Sequence, residues 1–173
     1  MNLYTLGHST RSTDEFLTLL WENGVRRLLD VRAVPRSRHN PQYNTEILSR
    51  TLAAADIAYT HLPALGGLRK PRKDSVNMGW RNDSFRGYAD YMQSGEFHRA
   101  LDDLLTAAAE PAALMCAEAD PWRCHRLLIA DAASLRGIEV RHILALGKWQ
   151  PHKLPPFALV DGLIITYPFA LEG

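Results

Sequence analysis

Five short apolar runs recur along the chain, at residues 3–7, 25–31, 57–61, 112–116 and 140–144, and helical signals fill the segments between them. Runs of this length bounded by glycine, proline and polar clusters read as strands. The order is strand, helix, strand, helix, strand, a long loop with two helices, then strand, helix, strand. Strands joined through helices lie parallel, so the expected fold is α/β, an open and mainly parallel sheet of about five strands with helices on both faces, in one domain over 1–173.

The helical signals are specific. Ser12 to Glu15 form a capping box, with Ser12 as N-cap and Glu15 reaching back to it. Phe16, Leu19 and Leu20 then follow at helical spacing, and Asn23-Gly24 is a C-cap pair. Asn44 is placed to cap a second helix running to about Ala55. Residues 85–92 and 97–109 give two more, and a last helix is expected over 124–135, opening at Cys124. The core is expected over 1–148, with a Pro-rich tail from Trp149 in which residues 161–167 add an edge strand.

Parallel sheets bind ligands at the carboxyl ends of their strands, and here the loops after the first four strands hold nearly all the unusual chemistry. After the first strand come Gly7, His8, Ser9 and Thr10. A histidine followed by hydroxyls and a helix start suits anion binding or proton transfer, or simply a turn with caps. After the second come His39 and Arg32, Arg36 and Arg38, three arginines whose planar guanidinium forks suit bidentate contact with phosphate or carboxylate. Asp30 stands close enough in sequence to neutralise Arg32. After the third, Gly66-Gly67 precede Leu68 and the cations Arg69, Lys70, Arg72 and Lys73, in a stretch long enough to be a lid or a disordered surface loop.

Charge is segregated accordingly. Between Arg32 and Arg81 nine Lys or Arg face three acids, in a chain whose formal net charge is only +1. A local excess of this kind favours an anionic ligand.

The fourth loop is the most specific: Cys116 ends a strand, Glu118 follows, and Arg123, Cys124, His125 and Arg126 precede a helix. A thiol at a helix N-terminus among cations is driven toward thiolate, as a nucleophile requires. Two other readings stay open. The cysteines and histidines could ligate a metal, although the spacing matches no common zinc motif, or both thiols could pack in the core. From Cys116 to Arg123 six residues intervene, one too many for the Cys-x5-Arg loop of cysteine phosphatases. His142 reads as a core histidine and His152 as one that could reach the cleft.

No secretory pattern, no apolar run long enough for a membrane span, no Gly-rich dinucleotide fingerprint and no phosphate-binding P-loop is present. A cytoplasmic protein with free thiols, no cofactor, no bound metal and no membrane partner is expected.

In combination, residues 5–10, 29–37, 65–69 and 85–89, Cys116-Ala117-Glu118, Cys124-His125-Arg126 and the late His142 resemble the family of unknown function numbered 488 (DUF488). The resemblance covers the chain from about Tyr4 to His142. It implies a cytosolic α/β protein, bacterial or archaeal, and carries no established activity.

The functional expectation is an enzyme acting on a phosphorylated or otherwise anionic small molecule or a nucleotide. Its catalytic candidates are Cys124, Cys116, His8, His125 and Glu118, and its substrate-binding candidates are Ser9, Arg32, Arg36, Arg69, Arg123 and Arg126. The alternative is a module that binds nucleic acid or nucleotides without catalysis. There the basic loops would contact phosphates, Trp80, Tyr88 or Trp122 would stack on bases, and the cysteines would be structural.

Overall fold

The computed structural model describes residues 2–169. Its main sheet has six strands in the order β3-β2-β4-β1-β5-β6. These are β1 (Asn2–Gly7), β2 (Arg27–Asp30), β3 (Ala58–His61), β4 (Ala112–Cys116), β5 (Glu139–Ala145) and β6 (Lys148–Pro151). The first five are parallel, and β6 returns antiparallel on β5. The helices are α1 (Thr13–Glu22), α2 (Thr45–Ala54), α3 (Asp83–Tyr91), α4 (Gly95–Ala107) and α5 (Arg126–Leu135).

Strand alternation divides the core in two. Leu3, Leu29, Ala112, Leu114, Cys116 and Val140 face α3, α4 and α5. Tyr4, Leu6, Leu28, Ala113, Met115 and Ile143 face α1 and α2. Every residue of β4 is buried, which is why it reads as a continuous apolar run rather than an alternating one. On α1, Phe16, Leu19 and Leu20 are sealed against the sheet, each burial contributing about 1.5–3 kcal/mol.

Local expectations fare unevenly. Ser12 does cap α1, its Oγ accepting from Glu15 N, but the Glu15 carboxylate turns to Arg11 Nη1 at 2.7 Å instead of reaching back. Asn44 sits at the N-cap of α2, yet its side chain accepts from Ser37 N at 2.7 Å and so pins the preceding loop. The last helix opens at Arg126, not Cys124. Asp120 caps a 3-10 turn at Pro121–Arg123, and Cys124 follows in extended backbone.

Residues 148–151 form a sixth strand inside the segment expected as tail. Residues 161–167 do not join the main sheet: β7 (Leu159–Asp161) and β8 (Ile164–Thr166) make a separate hairpin, which carries Ile165 and Tyr167 into the core. The end of the expected tail, residues 170–173, lies outside the described residues. No helix among the described residues is long and apolar enough to cross a membrane.

Chain direction explains where a site can form. From β1 and β2 the chain leaves toward the α1 and α2 face, whereas from β4, which lies between them, it leaves toward α5 on the other. Loops that diverge from neighbouring strand ends open a crevice there. The last residue of β4 is Cys116.

Candidate functional site

Backbone bonds hold three loops together around Cys116. His8 N donates to Cys116 O at 2.9 Å, Ser9 N to Ala117 O at 3.0 Å, and Val31 N to Met115 O at 3.0 Å. Residues 117–119 cross so close over β1 that a Cβ on Gly7 would stand 1.8 Å from Glu118 O. Only glycine fits there. The resulting cleft has a volume of about 360 Å³, with Cys116, Cys124 and His125 at its floor, the lips Val34 and Leu68, and the charged rim Arg36, Glu118 and Arg123. The lips are conspicuous: Val34 is 62% exposed, and Leu68 is 84% exposed with φ +62.

The two thiols are in contact, with Cys124 Sγ donating to Cys116 Sγ at 2.7 Å. Arg126, the largest fully buried side chain, donates from Nη1 to Cys116 Sγ at 2.6 Å and to Glu118 O at 2.6 Å, and from Nη2 to Ala119 O at 3.1 Å. Burial pushes the Cys116 thiol up, but the Cys124 hydrogen bond and the Arg126 charge outweigh it and bring it down to about 7. The bond to Cys116 and its own burial hold Cys124 well above the ordinary thiol range. Of the two thiols at the floor, Cys116 is therefore the one whose anion is favoured, and Cys124 the one that keeps its proton.

His125 stands beside them. Its Nε2–H donates to Val31 O at 2.8 Å, which leaves Nδ1 unprotonated, 3.6 Å from Cys124 Sγ. Burial lowers this imidazole to about 4, so it is neutral. A Cβ on Gly67 would lie 3.1 Å from Nδ1, so this glycine lets its loop rest directly on the ring.

Behind Arg126 runs a buried chain that the sequence reading did not assemble. Arg126 Nε donates to Thr5 Oγ1 at 3.2 Å, and Thr5 Oγ1 shares a hydrogen bond with His142 Nδ1 at 2.6 Å. His142 Nε2 meets His152 Nδ1 at 2.9 Å, and His152 Nε2 meets Asp131 Oδ1 at 2.5 Å. Tyr167 Oη donates to Asp131 Oδ2 at 2.6 Å. At the far end the direction is set, because a carboxylate only accepts and His152 Nε2 donates to it. Burial keeps His142 neutral, lowered to about 3. His142 and His152 were singled out in sequence, whereas Thr5, Asp131 and Tyr167 were not. Asp131 alone left a signal, a single acid inside an apolar helical run.

The remaining candidates are dispersed. Arg32 reaches the cleft wall, but Asp30 holds it bidentately, at 2.9 Å through Nε and 2.7 Å through Nη2, and Tyr43 O takes a further bond at 2.8 Å. His8 is buried away from the cleft, stacked on Tyr43 and lowered by burial, with Nε2 3.4 Å from Arg32 Nη1. Ser9, at φ +48, lines the crossing rather than the cleft. Arg69 turns inward, bonding Gly66 O and Ala64 O and stacking over Tyr91. Arg126 is wholly buried beneath the floor. Of the six basic or hydroxyl candidates for substrate binding, Arg36 and Arg123 stand exposed at the rim.

The loop after β3 is tied down, not free. Asp90 accepts from Arg72 N, Ser75 Oγ and Asn77 Nδ2, and Asn77 Oδ1 accepts from Tyr167 N. Of the aromatics considered for base stacking, Tyr88 is buried and Trp80 packs edge-on against Phe85 and Phe157, while Trp122 is exposed. Among the described residues, no three His, Cys, Asp or Glu side chains converge to hold a metal ion.

No curated protein and no solved structure matches the chain. A family model does, from the start of α1 into α5, a span that contains Arg36, Cys116, Cys124, His125 and Arg126 but not Thr5, His142 or His152. Matching residues 12–133, it shows that the chain belongs to the family described as domain of unknown function DUF488.

Proposed function

We propose that this protein is a cysteine-dependent enzyme acting on a phosphorylated or otherwise anionic small molecule, nucleotides included, with the Cys116 thiolate as its nucleophile. The observation that carries this reading is the 2.6 Å contact between Arg126 Nη1 and Cys116 Sγ at the floor of an open cleft. A buried cation against a sulfur favours the thiolate, and it is the thiolate that attacks.

The division of labour follows from exposure. Arg36 and Arg123 at the rim receive the anion, and Val34 and Leu68 cover the apolar part of the substrate. Cys124 keeps its proton and steadies the thiolate by its hydrogen bond, and Glu118 orients donors of the substrate. His125 packs beside Cys124 with Nδ1 3.6 Å from its sulfur, and it takes no proton near neutral pH, because burial lowers it to about 4. Arg32 forms part of the wall, and Arg69, His8 and Ser9 hold the loops behind it. The non-catalytic nucleic-acid reading keeps one of its three stacking candidates, Trp122, at the surface, while Tyr88 and Trp80 pack against the core.

Residue-resolved alkylation between pH 5 and pH 9, followed by mass spectrometry, tests the proposal. The Cys116 rate should rise with pH, half-maximal at about 7, while Cys124 stays slow throughout. If both thiols titrate at or above the ordinary value of about 8.5, the nucleophile does not exist and the proposal fails.

A further inference from the structure

We infer that Cys116 and Cys124 are a reversible dithiol–disulfide switch, oxidised by hydroperoxides, that turns the cleft off. The inference rests on the proposed nucleophile and adds a role for its neighbour. Both sulfurs are free thiols that line the same cleft, at 3% and 6% residue exposure. Their Sγ atoms are 2.7 Å apart, so a disulfide of about 2.05 Å requires a movement of less than about 1 Å. Cys124 lies in extended backbone between a 3-10 turn and α5, outside the regular helix, where such a shift breaks no helical ladder.

The chemistry is balanced by one peroxide. The Cys116 thiolate attacks a peroxide oxygen, the O–O bond breaks, and Cys116 becomes a sulfenic acid as hydroxide or alkoxide departs and takes a proton from solvent. Cys124 Sγ then attacks Cys116 Sγ, the S–O bond breaks, and water leaves with the Cys124 proton. Two thiols lose two electrons and the peroxide gains them. Without Cys124 the sulfenic acid would stay exposed to a second peroxide and pass irreversibly to sulfinic acid.

Arg126 decides how lasting the bond is. Reduction restores the anion that its guanidinium faces, whereas oxidation leaves a buried cation with only Thr5 Oγ1 and backbone carbonyls. Stabilising the reduced thiolate makes a disulfide easier to reduce. The pair is therefore suited to switching and not to stapling the fold.

The test is peroxide titration of the full chain, with free thiols blocked afterwards and peptides read by mass spectrometry. The expected product is a Cys116–Cys124 cross-linked peptide, two hydrogens lighter, that glutathione reverses. In Cys124→Ser dimedone present during the titration should trap a Cys116 sulfenic acid, and without dimedone excess peroxide should carry Cys116 on to sulfinic acid. Sulfinic or sulfonic acid on wild-type Cys116, with Cys124 still open to alkylation, overturns the switch. If Cys116 alkylates fast at neutral pH in the same protein before peroxide is added, the switch alone has failed. Failure of both alkylation and oxidation removes the nucleophile as well.

Discussion

The loops after β2 and β4 each bury an arginine at the carboxyl edge of the sheet, and they neutralise it in opposite ways. Arg32 is 5% exposed and locked to Asp30 through two parallel bonds. Arg126 is 0% exposed and has no carboxylate partner among the described residues; a thiol, a hydroxyl and two carbonyls surround it. A carboxylate balances the charge of a guanidinium and leaves no counter-charge to be supplied by a reactive group. A sulfur that must supply the counter-charge is itself changed, because the cation stabilises its anion. Two arginines equally buried thus do different work: one closes a loop, and the other sets the charge state of the cleft floor.

Three variants probe this contrast. The largest effect is expected from Asp30→Asn, which strands Arg32 in the interior. Losing one partner of a buried pair costs about 3–5 kcal/mol, a fall on the order of 10 °C in Tm for a chain of this size. Calorimetry reads it, and a change of only a degree or two would mean that Asp30 is not the charge that balances Arg32. Cys116 alkylation should hardly move in this variant.

Arg126→Gln is expected to do the reverse, acting mainly on reactivity. With the cation gone, Cys116 returns to at least the ordinary thiol range, and its alkylation at pH 7 drops by roughly 10–30-fold, or about 1.4–2 kcal/mol. An unchanged rate would dissolve the distinction between the two arginines. The smallest effect belongs to the rim. Arg36→Ala with Arg123→Ala should lower the reactivity of Cys116 toward iodoacetate relative to neutral iodoacetamide by about two- to threefold, as expected for exposed, screened charges. Equal loss with both reagents would show that these cations do not select anions.

Much of this was legible because it is periodic. The strands β1 to β5 announce themselves by apolar runs, and Cys116 by ending the most apolar of them. What failed to show is what depends on the path of loops. Arg36 and Arg69 look alike in sequence, but only the fold reveals that one faces the cleft and the other stacks on Tyr91. The helix start slipped from Cys124 to Arg126 because Asp120-Pro121 winds a turn of its own first. Strand β6 escaped because Lys148–Pro151 is exposed along its length and so has no buried alternation. The chain from Thr5 to Asp131 joins β1, β5, α5 and the residue just past β6 through single side chains, which no local pattern encodes.

The position of β4 has a consequence for how the protein is made. β1 and β2 never pair with each other; each pairs with β4, which enters the sheet after the four helices before it have been synthesised. Until then the central slot is vacant and the two halves of the sheet have no common ladder. Pairings so distant along the chain come late in folding, after the loop-closure entropy has been met. The strand that joins the halves ends in Cys116, and Arg126 follows ten positions later. A nascent chain therefore carries an ordinary thiol, and its activation coincides with completion of the sheet.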